Sequence, residues 1–333
     1  GLQRLIGTGA QGVYSAHLNS ESGRLGEANA LLSQPGSVII KASKDSLLYT
    51  AGNVEGRGVI KSFLKNKMTG EIRGFPKDPC YLSLDKSSKF AFTANIRGKS
   101  ISSFSLNHDG SLNKLIQNFE IKTPNKGFAP HSIIPSPENK YLFVADIGGK
   151  RICRIKFNEN NGSMIYEGDI TSKNFNGPRH MTFGPEGKFL YLLNQMGGAL
   201  TVFKYESNNG NLQEIQHISS LPKNFSGNNH SADLRIHPSG NFLYCTNRGP
   251  DSICLFVRDK KEGTLKFIGT VSSEGKNPVS LMIPQDGKYL FCSNHKSNNI
   301  ALFKIDMKNG LLTFIKGISV PGPVSLQFSG QVK

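Results

Sequence analysis

Short apolar runs, rich in β-branched and aromatic residues and partly alternating with polar ones, recur along the chain between turn residues. That pattern predicts short strands, and no amphipathic stretch of about 10 residues or more interrupts it with a helix. In the segment after Pro130 the runs HSIIPS, KYLFVAD, RICRIKF and MIYEGDI predict four strands in succession.

The runs repeat. Pro130-His131-Ser132 leads to SPENKYLFVAD, Pro178-Arg179-His180 to GPEGKFLYLLN, and Asn277-Pro278-Val279 to PQDGKYLFCSN. Weaker copies start at Pro79 and Ala232, and the most divergent is GSVIIKASKDSLLYTAGN from Gly36. Pro130 to Pro178 is 48 residues and Pro178 to Pro278 is 100, a spacing that matches one and two propeller blades of about 40–50 residues each.

A glycine turn between third and fourth strands counts the blades: Gly23, Gly70, Gly110, Gly162, Gly210, Gly263 and Gly310. An apolar residue follows each within two positions, from Leu25 to Leu312, and a hairpin position of positive φ accounts for glycine there. The N-terminal runs RLIGTG, GVYSAHL and EANALL supply second, third and fourth strands, and Pro323–Phe328 supplies a missing first one. Joining them completes a seventh sheet and leaves no blade without neighbours. The expected fold is therefore all-β, a seven-bladed β-propeller of four-stranded blades over residues 1–333 as one domain, with the stretch from Leu221 to Asn229 as a loop on the ring.

Composition narrows the partners. No apolar run approaches the roughly 18–20 residues that span a bilayer, so no membrane partner is expected. The five cysteines form no CxxC pair, sit in strand-like runs and read as buried structural thiols, with no metal or cofactor implied. Their odd number favours a reducing, cytoplasmic compartment, although a chain that starts at Gly1 leaves room for a removed leader. The formal net charge of +16 is spread without a basic block, which fits solubility and attraction of small anions better than binding of nucleic acid or another polyanion.

The blade pattern also points to a site. The start of strand one and the end of strand two share one mouth of the central channel, which gathers His131, Arg179, His180, Gln195, Arg248, Asn277 and His295. Strand two ends in Asn or Asp in most repeats (Asn53, Asn95, Asp146, Asn194, Asn247, Asn294), so that ring is read as architectural, capping the adjoining turn. Residues that differ between repeats are the better candidates: His131, Arg179, His180, Gln195 and Arg248. Two guanidinium forks at one opening would suit a phosphate or carboxylate. His237, in the His237-Pro238-Ser239-Gly240 turn at the other end of the sheet, is read as structural, while His230 could lean over the mouth.

At these residues the strings PHSIIPSPENKYLFVAD, NGPRHMTFGPEGKFLYLLNQ and HPSGNFLYCTNRG resemble the seven-bladed lactonase family, which includes bacterial 6-phosphogluconolactonase and fungal carboxy-muconate lactonising enzyme. The resemblance covers nearly the whole chain and is strongest from Pro130 to Asp306. It implies a metal-independent site for anionic lactones, with the family's histidine at His131 and its arginines at Arg179 and Arg248. A glutamate of the family is replaced by Gln195, which hydrogen-bonds but takes up no proton at neutral pH. A Pro-Arg pair is likewise replaced by Pro278-Val279.

The expected activity is hydrolysis of an anionic sugar lactone, of the 6-phosphogluconolactonase type. His131 or His180 would serve as base, Arg179 and Arg248 as anion clamps, and Gln195 would orient sugar or water. The alternative is a catalytically impaired propeller that binds an anionic ligand or a protein partner, with a polyanion-binding scaffold third.

Overall fold

The structure, a computed structural model, describes residues 2–10, 12–33, 37–42, 47–122 and 127–331. Gly36 and residues 43–46 of the most divergent repeat lie outside the described residues. The described chain folds into seven four-stranded antiparallel sheets, the blades of a seven-bladed β-propeller. Among the described residues there is no helix, and so none long and apolar enough to cross a membrane.

Blade four illustrates the unit: its strands are Pro130–Pro135, Tyr141–Asp146, Arg151–Phe157 and Met164–Ile170. These are the four runs read from the sequence, displaced by a residue at most at either end. Blade one is made from both termini, because Ser325–Gln331 pairs antiparallel with Leu2–Gly9 through Thr8↔Ser325 and Leu5↔Phe328. Pairing starts at Ser325 and not at Pro323, which has no N–H to contribute to a ladder.

The blades fall into two compact units. The first comprises Gly1–Pro35, Thr182–Lys204 and Gln213–Lys333, and holds blades one, six, seven and most of five. The second comprises Gly36–Met181 and Tyr205–Leu212, and holds blades two, three and four with the start of blade five. Within each unit the core lies between consecutive sheets. Phe92, Ile101, Ile133, Val144 and Ile155 pack blade three on blade four, and Tyr191, Val202, Leu243, Cys245 and Phe256 pack blade five on blade six. Second strands such as Phe189–Asn194 are buried at every position, which is why they read as continuous apolar runs.

Six of the seven counted glycines have positive φ, Gly263 at 76° among them. A Cβ on Gly263 would lie 2.2 Å from Phe189 Cδ1 of the preceding blade, and the Gly263 carbonyl accepts the Tyr191 hydroxyl at 2.7 Å. Gly70 corrects the count of turns. It lies inside the strand Lys67–Phe75, and the hairpin turn is made by Lys65 and Asn66, with φ of 49° and 65°. Two successive positive φ values make the tight turn without glycine; Gly70 instead permits close approach, since a Cβ there would meet Ser62 Oγ at 2.9 Å and Leu112 O at 3.0 Å. The number of blades is unaffected.

Four cysteines are buried as expected, but Cys80 is only half-buried. Cys245 and Cys254 sit directly opposite each other on adjacent strands of blade six, a pairing that their sequence spacing does not reveal.

Candidate functional site

The first strand of a blade opens with a local irregularity that sets the site. In blade four Pro130 pairs with Asp146 and Ser132 with Ala145, so His131 is the extra residue of a β-bulge. Blade three does the same at Cys80, between Pro79↔Asn95 and Tyr81↔Ala94, and blade seven at Val279, between Pro278↔Asn294 and Ser280↔Ser293. A bulge turns its extra side chain out of the regular alternation. The same place in the repeat of blade five is held by Arg179.

In the second unit the turned residues and their neighbours converge. His131, 7% exposed, meets the His180 ring edge-on, with centroids 5.3 Å apart and planes at 61°. Tyr81 meets the same His180 ring at 5.2 Å and 73°. Cys80 Sγ lies 3.6 Å from the carbonyl oxygens of both Pro130 and His131, and 3.5 Å from that of Ala94. Burial pushes the Cys80 thiol up to about 12, against the pull of the nearby Arg179 guanidinium. The thiol is thus protonated at neutral pH and is no nucleophile. The Ser83 hydroxyl donates to the Ile133 carbonyl at 2.7 Å, which ties the first strands of blades three and four side by side. Three of the residues read from the sequence, His131, Arg179 and His180, are therefore brought together here. Tyr81 and Cys80 join them, although neither type signals a site at that spacing.

Some members of the Asn/Asp ring behave as caps, whereas the Asn95 amide instead donates to the Ser100 and Ser102 hydroxyls of the adjoining strand. Asn53 Oδ1 accepts from Asp78 N at 2.8 Å, Asp146 Oδ1 from Ala129 N at 2.8 Å and Gly149 N at 3.0 Å, and Asn294 Nδ2 donates to Ser273 O at 2.8 Å. Each bond fastens a turn or the segment that leads into a first strand.

In the first unit the remaining candidates gather around a different loop. The Gln195 carbonyl accepts from Ser231 N at 2.8 Å, and Met196 forms a β-bridge with His230. The His230 carbonyl accepts both the backbone N–H of Arg248 at 3.2 Å and its Nε–H at 2.8 Å. The guanidinium is thus held against the loop that carries His230, and burial lowers its pKa from the ordinary value. Asn277 takes a φ of 60°, and its carbonyl accepts from His295 N at 3.0 Å. Ile96, Ile147, Arg248 and His295 make the same backbone bond to the residue before a first strand, so Arg248 occupies a repeat position filled by isoleucine in two blades.

His237 is structural: its Nδ1 and Nε2 lie 2.7 Å from Ser239 Oγ and 2.9 Å from Gly287 O, and it is buried. Among the described residues no cluster of three or more His, Cys, Asp or Glu side chains is arranged to hold a metal ion.

Comparison with known proteins follows the same lines. Residues 4–328 match the family model described as lactonase, 7-bladed beta-propeller. The chain is 28% identical over 285 residues to 6-phosphogluconolactonase of Bacillus subtilis, covering 81% of this chain and 80% of that protein. It is 32% identical over 296 residues to 6-phosphogluconolactonase of Formosa agariphila, covering 82% of each. Among solved structures, a Bacteroides fragilis protein provisionally assigned as a 6-phosphogluconolactonase superposes with a TM-score of 0.88 at 28% identity, covering 98% of both chains. A periplasmic gluconolactonase of Pseudomonas aeruginosa superposes with a TM-score of 0.89 at 22% identity, a likeness of fold.

Proposed function

The chain belongs to the seven-bladed β-propeller lactonase family, and from that premise we propose that it hydrolyses 6-phosphogluconolactone or a closely similar anionic sugar lactone. The observation that carries the reading is the packing of His131 on His180 beside Arg179 in the second unit. A lactone is an ester, opened by water at its carbonyl. His131 takes a proton from the attacking water while the carbonyl oxygen becomes an oxyanion, and the proton is returned to the ring oxygen as the C–O bond breaks. A positioned base of this kind contributes about 10²–10⁴-fold. Arg179 is a permanent cation with a planar fork, suited to the substrate's phosphate or to the oxyanion. His180, edge-on to both His131 and Tyr81, is the alternative base.

Arg248 and Gln195 have the roles that the family resemblance implies, grip on the anion and orientation of sugar or water. The test is loss of 6-phosphogluconolactone above its spontaneous rate. The wild-type protein is expected to show a clear excess, and Arg179→Ala to remove it. A double-mutant cycle of Arg179→Ala with Arg248→Ala is expected to be non-additive if both arginines grip one substrate. Gln195 favours a second reading, an impaired propeller that keeps its ligand and has lost turnover. That reading gains if wild type shows no excess and Gln195→Glu creates one.

A further inference from the structure

Blade four departs from its repeats where strand two hands over to strand three. Asp146 stands opposite Arg151, whereas blade three has Asn95 opposite Ser100 and blade seven has Asn294 opposite Asn299. Both side chains of the charged pair are 0% exposed, with Arg151 Nε 2.7 Å from Asp146 Oδ2. The other arm of the guanidinium reaches Asp169 Oδ2 at 2.9 Å, and the Tyr166 hydroxyl donates to Asp169 Oδ1 at 2.9 Å. Burial, with the hydrogen bond to Asp169, pushes the Tyr166 phenol up to about 12. A Cβ on Gly149 would lie 2.3 Å from Asp146 Oδ2 and 2.6 Å from Arg151 Nε, so glycine there makes room for the pair.

A buried ion pair is a poor source of stability, because desolvation of both charges offsets much of their attraction. Neutral pairs close the same hairpin in blades three and seven. The carboxylate of the charged pair also reaches the approach to the first strand. Asp146 Oδ1 holds the backbone N–H of Ala129, two residues before His131, and Pro130 between them pairs with Asp146 itself.

We propose that Asp146 and Arg151 are positioning residues for His131. Arg151 locks the carboxylate plane between itself and the Ala129 N–H, and the rigid Ala129-Pro130 step carries that orientation to the bulge. The imidazole therefore meets His180 at one angle. This inference rests on the reading of His131 as the general base.

The test uses the full-length protein and the double variant Asp146→Asn/Arg151→Ser, which gives blade four the neutral pair of blade three and leaves Asp169, still held by the Tyr166 hydroxyl, as the one carboxylate that loses its arginine partner. Three quantities are measured: thermal midpoint, kcat and KM with 6-phosphogluconolactone, and the titration of the His131 imidazole followed by nitrogen-15 NMR. The double variant is expected to fold, to keep KM within about 3-fold and to lose about 10–100-fold in kcat, the usual effect of removing an outer partner of a working side chain. Its His131 resonances are expected to move and titrate differently from wild type. An unchanged kcat, or imidazole signals superimposable on those of wild type, would overturn the proposal. If the wild-type protein does not hydrolyse the lactone, the functional reading fails, and the NMR titration alone still decides whether the pair positions His131. Should the double variant not fold, Arg151→Lys is measured in its place; it keeps the charge but loses the fork that bridges Asp146 and Asp169, and the same shifts in kcat and in the imidazole signals are required of it.

Discussion

Blade four and blade seven begin in the same way and end up with different chemistry. In each a proline pairs with the last residue of strand two, the next residue is bulged, and a buried serine follows: Pro130, His131, Ser132 in one and Pro278, Val279, Ser280 in the other. The occupant of the bulge differs, imidazole against isopropyl. So does the support beneath it, since Asp146 and Arg151 form a buried ion pair where Asn294 and Asn299 are neutral amides that hold the Ser273 and Glu274 carbonyls. The bulge is thus a property of the repeat, available in several blades, and on the proposed reading function depends on which residue is placed in it and what holds the approach to it.

Exchange of the two occupants probes this most strongly. His131→Val, which gives blade four the residue of blade seven, is expected to lower kcat by about 10²–10⁴-fold with little change in KM, measured against spontaneous lactone hydrolysis. Full retention of activity would move the base to His180. Next in size is the support. Arg151→Ala leaves the buried Asp146 carboxylate uncompensated and is expected to cost about 3–5 kcal/mol in urea unfolding. Asn299→Ala, at the matching place in blade seven, removes a hydrogen bond at the surface and should cost about 1 kcal/mol or less.

A smaller effect concerns the third bulge, Cys80. An unfolded thiol ionises near ~8.5, whereas the folded Cys80 is pushed up to about 12. The folded state therefore binds the proton more tightly. The resulting stability is whole below the unfolded value and is lost as pH rises toward the folded one. Unfolding free energy should fall over that alkaline window, and Cys80→Val should flatten the fall, as read from urea midpoints between neutral pH and the alkaline limit. The smallest change is expected from Val279→His, which places an imidazole in a bulge already formed. Lactone hydrolysis should be unaltered and stability should shift by about 1 kcal/mol or less.

Much of the fold was legible because a propeller is written as a period. The seven repeats, the four strands of blade four and the closure of blade one by the C-terminal strand all follow from local apolar runs and their spacing. His131, Arg179 and His180 were legible as departures from the repeat, since a residue type confined to one blade is not needed by the blade. What only the tertiary structure decided lies between strands. Asn66 and Lys65 turn the hairpin that Gly70 suggested, because two positive φ values leave no trace in an apolar pattern. Cys245 and Cys254 became neighbours through strand register, Tyr81 of blade three became a partner of His180 of blade five through the convergence of first strands, and Arg151 became a support for Asp146 by burial. A sequence encodes period and side-chain type along one dimension; register, bulge and burial arise when strands distant along the chain are set edge to edge, and these are what aim an imidazole.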